Sequence, residues 1–307
     1  MLASFTRIFL FIFFSGFVTN AFALDNESIF EYAEKADITG IQKAIKNGAD
    51  VNAVNKKNWS LLRLMSLRTE TISQNKMIEI IKLLIDNGLD ISSTKNDNGM
   101  VLHNLIYKEY SEVAIFLINN GIPFTQRGML RRTPIMVSAF KGLDDVTQLL
   151  LDKIPQSHIN SLDKRGETLL SHAIPKTSIS IIDEIINKGA NVNKPERTNN
   201  LTPLTKAVWQ DTNDVVELLL QNGANPNVFT DQATTPLTIR LSPWHNQSDS
   251  EMLAIAKLLV AYGANVNTGA QQPDGSIDTP LSLATEKGFT MTASFLRSKG
   301  ARMRYSN

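Results

Sequence analysis

The sequence predicts an all-α solenoid of about eight helix-turn-helix repeats joined by hairpin-like loops. Three observations carry this. A five-residue phrase recurs as Gly48-Ala49-Asp50-Val51-Asn52, Gly189-Ala190-Asn191-Val192-Asn193, Gly223-Ala224-Asn225-Pro226-Asn227 and Gly263-Ala264-Asn265-Val266-Asn267. Gly48, Gly88, Gly121, Gly189, Gly223, Gly263 and Gly300 each follow an apolar run, at steps of 40, 33, 68, 34, 40 and 37 residues. The base period is near 33, and the step of 68 holds two units. Inside a unit the apolar residues keep helical spacing, as in Val215, Val216, Leu218, Leu219 and Leu220, or Val113, Ile115, Phe116, Leu117 and Ile118. A helix pair of this length cannot bury its apolar face alone, whereas similar neighbours stacked side by side bury each other.

The first 23 residues read as a separate message. Arg7 is their one charge, Ile8 to Phe14 is an unbroken apolar run, and Ala21-Phe22-Ala23 has the small-x-small form of a signal-peptidase site. We expect cleavage before Leu24 and a periplasmic or secreted product. The alternative, an uncleaved anchor, meets a run broken by Ser15, Gly16, Thr19 and Asn20 and shorter than the ~20 apolar residues of a spanning helix. Removing residues 1–23 takes one arginine and leaves net charge zero, a poor balance for general nucleic-acid binding.

Units are expected to start near 25, 58, 99, 132, 166, 201, 235 and 279, making 24–307 one repeat domain. The unit near 25 lacks Thr-Pro-Leu and reads as a cap. The next carries extra residues around 66–76. The third contains Val101-Leu102-His103. The fourth opens Thr133-Pro134-Ile135 and ends Lys153-Ile154-Pro155 without a helix-ending glycine. In the fifth, Pro175 is expected late in the first helix, where it would remove one backbone bond. Units six to eight open Thr202-Pro203-Leu204, Thr235-Pro236-Leu237 and Thr279-Pro280-Leu281. Threonine caps a helix N-terminus and proline suits its first position. Ala207 and Ala284 are small where repeats approach closely. The seventh unit has an insertion around 242–250, about four extra residues precede the eighth, and Arg302 to Asn307 forms a polar end. Each helix-ending glycine can take the left-handed conformation. The Asn and Asp residues that follow are expected to bond the backbone of their own turn.

The Thr-Pro-Leu opening, the period and the Gly-Ala-Asx-x-Asn close together resemble the ankyrin repeat family, over essentially all of 25–307. The resemblance implies an ankyrin repeat solenoid. It also implies a structural role for His103, and partners docking on the hairpin tips and on the exposed end of each first helix.

Other chemistry is not signalled. The chain has no cysteine, which excludes disulfides, thiolate metal sites and cysteine nucleophiles. His103, His158, His172 and His245 show no metal-ligand spacing, and Asp231 and Asp274 lack acidic companions for calcium. No GxSxG, HExxH or phosphate-binding glycine loop occurs. The expectation is a non-enzymatic protein with no cofactor and no metal site.

Two variable positions follow the small residues of each first helix. They hold Leu67-Arg68, Tyr107-Lys108, Phe140-Lys141, Pro175-Lys176 and Trp209-Gln210, with Glu286-Lys287 in the eighth unit and Trp244 near the corresponding place in the seventh. An apolar group followed by a cation recurs four times, the kind of anchor that interfaces favour. Summed charges on the connecting loops are +2 for 53–59, 0 for 94–100, +3 for 125–132, 0 for 161–167, +1 for 194–201, −1 for 228–234 and −2 for 268–278. Such polarity would steer an acidic partner protein. The expected contact set is Arg68, Tyr107, Lys108, Arg131, Arg132, Phe140, Lys141, Lys176, Trp209 and Trp244. A competing expectation is that the cations are ordinary solvated charges and that Phe140 and Trp209 pack against the next repeat. The functional expectation is a monomeric scaffold that binds a partner protein on its concave face. Alternatives are a periplasmic immunity-type inhibitor of an incoming toxin and a secreted effector acting on host proteins.

Overall fold

The computed structural model describes residues 26–303, 305 and 306, apart from 69–71, 94–97, 242–246 and 272–275. The signal segment and Trp244 therefore lie outside the described residues. Two compact units divide the chain, Met1–Gly128 and Met129–Asn307.

The first unit holds α1 (26–34), α2 (Ile38–Lys46), α3 (Leu61–Ser66), α4 (Gln74–Asp86), α5 (Asn98–Tyr107) and α6 (Ser111–Asn119). First helix packs on first helix, α3 on α5, and second on second, α4 on α6. Ile41, Leu61, Leu62, Leu102, Leu105 and Leu117 are buried between them, and each such side chain contributes roughly 1.5–3 kcal/mol over the exposed state. His103 is buried as well, and its Nε2 accepts the Gly128 amide at 3.1 Å. A Cβ on Gly128 would lie 2.5 Å from the imidazole, so only glycine lets the loop close on the ring.

The second unit holds α7 (Pro134–Lys141), α8 (Asp144–Lys153), α9 (Leu169–Ala173), α10 (Ile179–Asn187), α11 (Pro203–Trp209), α12 (Asn213–Gln221), α13 (Pro236–Ile239), α14 (Asp249–Ala261), α15 (Pro280–Glu286) and α16 (Thr290–Ser298). The odd-numbered helices stack in one layer and the even-numbered helices in another. The architecture is the expected all-α solenoid of helical hairpins. One feature was not legible in sequence: the loop before α15 forms a short antiparallel ribbon, β1 (Ala270–Gln271) with β2 (Ser276–Asp278), and β3 (Tyr305–Ser306) adds to its other side.

Local chemistry sets the helix ends. Ser60, Thr168, Thr202, Thr235 and Thr279 are extended N-caps whose hydroxyls accept the amide three residues on. At the other end, Gly48, Gly88, Gly121, Gly189, Gly223, Gly263 and Gly300 have φ between 81° and 96°. The next amide then reaches back five residues, as Ala224 to Leu219 (2.9 Å) and Ala264 to Leu259 (2.9 Å), a Schellman close. Pro175 removes no bond, because α9 ends at Ala173 before reaching it.

The turn asparagines do more than their own turns require. Asn225 Oδ1 accepts the Asn227 amide within the turn, as expected. The second asparagine instead bridges to the following repeat. Asn193 Nδ2 donates to Gly223 O (2.9 Å), and its Oδ1 accepts the Asn225 amide (2.8 Å). The same pair of bonds joins Asn160 to Gly189 and Asn191, Asn227 to Gly263 and Asn265, and Asn267 to Gly300 and Arg302. In the first unit Asn52 joins Gly88 and Asp90 likewise.

Losing two such bonds costs about 1–2 kcal/mol. Asn193→Ala and Asn227→Ala should therefore each lower Tm by roughly 2–6 °C in circular-dichroism melts. Asn187→Ala, which removes only an exposed contact to Asp183 within α10, should leave Tm within about 1 °C.

Candidate functional site

The ends of the first helices carry the residues singled out in sequence. In the first unit Tyr107 closes α5 with 62% of its surface exposed, and Lys108 beside it is exposed. Arg68 is exposed and pairs with Glu34 at 3.2 Å. A cleft of about 830 Å³ lies next to that pair, with Phe30, Val54, Trp59, Leu64 and Leu67 along it. Glu27 pairs with Lys56 at the same cleft. Sequence reading missed this cleft, because it depends on how α1 meets the loop before α3.

In the second unit Trp209 closes α11 and is 44% exposed. Lys176 is exposed and Lys141 is half-buried. Phe140 is 38% exposed, and its ring is held from below by His172 edge-on (6.2 Å between centroids) and by the Arg132 guanidinium (5.2 Å). Part of the Phe140 ring therefore packs on the next repeat and part faces out.

Arg131 is exposed, but Arg132 is not placed to guide a partner. Its guanidinium turns into the protein, with Nε 3.2 Å from Asp163 Oδ2 and Nη2 3.2 Å from Glu167 Oε2. The reason is a buried ionic cluster that the sequence did not signal. His172 Nε2 lies 3.3 Å from Asp163 Oδ2 and 3.8 Å from Glu167 Oε2. Lys206, from α11, donates to Glu167 Oε1 (2.9 Å), Glu196 Oε1 (2.8 Å) and Ser171 Oγ (3.1 Å). Ser171 in turn donates to Glu196 (2.6 Å). Asp163, Glu167 and His172 offer ligand atoms within 4.8 Å of one another. The two carboxylates already face Arg132 and Lys206, so the arrangement is that of an internal salt bridge.

Burial pushes the Asp163 carboxyl upward. His172, the amides of Glu167 and Arg165, and Arg132 outweigh that, and hold it well below the usual carboxylate range. Glu167 behaves the same way: burial raises it, and His172 and Lys206 bring it down. A carboxylate with a depressed native pKa stabilises the fold above the ordinary carboxylate pKa, near 4. That contribution is lost as pH falls through the native value. Urea midpoints measured from pH 7 to pH 3 should therefore fall more steeply for the native protein than for Asp163→Asn/Glu167→Gln. At pH 7, Arg132→Met should cost about 3 kcal/mol by stranding buried carboxylates, and Arg131→Met less than about 0.5 kcal/mol.

Comparison with known proteins agrees with this architecture. A curated relative from fowlpox virus, a putative ankyrin repeat protein, is 28% identical over 57% of this chain and 50% of its own. A putative ankyrin repeat protein of Escherichia coli K12 is 27% identical over 62% of this chain and 94% of its own. The crystal structure of an ankyrin repeat domain from Acinetobacter baumannii superposes with a TM-score of 0.56 at 20% identity, covering 66% of this chain and 99% of that one. A chain from the complex of a Bdellovibrio bacteriovorus predatory endopeptidase with an immunity protein gives 0.51 at 23% identity, covering 63% and 97%. The family model for ankyrin repeats in three copies matches residues 69–163 and 135–230, more than half of the sequence. The chain belongs to the ankyrin repeat family.

Proposed function

We propose that this is an exported, monomeric, non-enzymatic module that holds a partner protein against the exposed ends of its first helices. The observation that carries the reading is the exposure of Tyr107 and Trp209. Large rings exposed at helix ends, beside residues as buried as Ile106 and Val208, suit an interface anchor. Arg68 and Lys108 in the first unit, and Lys141 and Lys176 in the second, are the cations offered to an acidic partner. Export rests on the apolar run of residues 8–14 and on Ala21-Phe22-Ala23. Among the described residues no helix is long and apolar enough to cross a membrane.

A second reading has one observation in its favour: one structural neighbour comes from a complex between a predatory endopeptidase and an immunity protein. On that reading the partner is an enzyme that must be blocked, and binding itself is the function.

Affinity capture on the mature protein, beside a Tyr107→Ala/Trp209→Ala variant, tests the binding face. A partner held by the native protein should bind the variant at least ~30-fold more weakly, since an exposed anchor of this kind is worth about 2 kcal/mol or more. The variant's Tm should stay within about 2 °C of native. A large drop in Tm with unchanged binding would mark the rings as structural.

A further inference from the structure

The fold changes the charge that the second unit shows to solvent. Loop 161–167 contains two acids and two bases, and loop 194–201 contains one acid and two bases. Asp163, Glu167 and Glu196 are all buried, against Arg132 and Lys206. Lys164, Arg165 and Arg197 remain exposed, with Lys194 half-buried beside them. The same loops thus present cations at the surface and keep their carboxylates inside.

Backbone hydrogen bonds line these loops up. Lys164 N donates to Leu130 O (2.7 Å), Arg197 N to Arg165 O (2.9 Å) and Asp231 N to Asn199 O (3.2 Å). Gly166 makes the closest approach possible. Its φ is +79°, and a Cβ there would lie 2.5 Å from Arg197 Cγ. Arg131, Lys164, Arg165 and Arg197 therefore follow one another along successive hairpin tips. Met129, 80% exposed, stands at one end of the row, and exposed Asp231 marks the tip where the positive run stops.

We propose that this row is a docking surface for a carboxylate-rich segment of another protein. Charge complementarity sets the sign: the loops at 129–132, 161–167 and 194–197 expose bases and no acid. Met129 favours a protein segment over a uniform polyanion, because an apolar side chain in the partner can cover it. The proposal rests on the chain being a protein-binding module, and adds where an acidic partner meets it and with which residues.

The test uses a fluorescein-labelled peptide alternating glutamate with leucine, titrated by anisotropy against the full mature protein at 50 and 200 mM salt. Binding should weaken with salt. It should fall about tenfold or more in Lys164→Glu/Arg165→Glu, where several weak exposed pairs act together. Both side chains project from the surface, so the variant's melting curve should match the native one. Arg197→Gln serves as a second variant. Trp209→Ala should leave peptide binding unchanged, which separates this row from the helix-end anchors. Equal peptide affinity in native and charge-reversed protein would overturn the proposal. So would heparin binding that displaces the peptide and is insensitive to Met129→Ala, since the row would then be a general polyanion surface. A natural partner that needs Trp209 and ignores the charge reversal would sink this row while leaving the binding module intact.

Discussion

At five junctions among the described residues, one side-chain amide fixes the spacing of neighbouring repeats. An asparagine carries a donor and an acceptor a fixed distance apart. At Asn52, Asn160, Asn193, Asn227 and Asn267 both are spent on the next repeat, on a glycine carbonyl and on the amide two residues later. The acceptor bond is 2.8 Å in every case, although the bridged glycine lies between 29 and 36 residues downstream. Extra residues at 66–76 and 242–250 are therefore absorbed between the bridges, and the bridge keeps its length. Asn160 bridges even though its own helix, α8, ends at extended Ile154 with no left-handed glycine. Ser92, in the corresponding place, is too short to reach onward, and its amide and hydroxyl both fall back on Asp90.

The buried ionic cluster sets a second constraint, this time in the layer of first helices. Arg132 precedes α7, His172 lies on α9 and Lys206 on α11, so three successive repeats meet on one pair of carboxylates. Burying charges carries a desolvation cost that their mutual attraction does not reliably exceed. The gain lies in register: a shift of one repeat against the next would leave Asp163 or Glu167 without its partner. Phe140 sits over this cluster, against His172 and Arg132. The aromatic group at that helix end is thereby fixed in place, while Tyr107 and Trp209 stand further into solvent.

How much was legible in sequence follows from the range of each interaction. Thr202-Pro203 and Gly223 act within four or five residues, so their roles could be read from spacing, as could the helix ends they define. The place of Tyr107 and Trp209 at their helix ends was legible, but their exposure was not, since packing of Trp209 against the next repeat was an equally open expectation and only the folded chain decides it. Arg132 was misread as a surface guide. Its partners lie 31 and 35 residues on, in a loop whose acids looked solvated. The turn asparagines were expected to bond locally, as Asn191, Asn225 and Asn265 do, whereas Asn52, Asn160, Asn193, Asn227 and Asn267 reach one repeat further. The ribbon of β1 to β3 escaped notice because its strands are two or three residues long and join separate stretches of chain.

The same cluster explains why surface charge cannot be summed from the sequence of the loops. Three carboxylates point inward against two cations, Arg132 and Lys206, and a histidine. One of those cations, Lys206, comes from a helix rather than from a loop. Each inward acid therefore leaves a loop cation uncancelled at the surface. Moving Asp163, Glu167 or Glu196 outward would release the register between repeats and neutralise the row of tips in one step. The internal pairing thus sets which charges the second unit hides, while the exposed cations Lys164, Arg165 and Arg197 take no part in that pairing and leave the stack's stability to the buried groups.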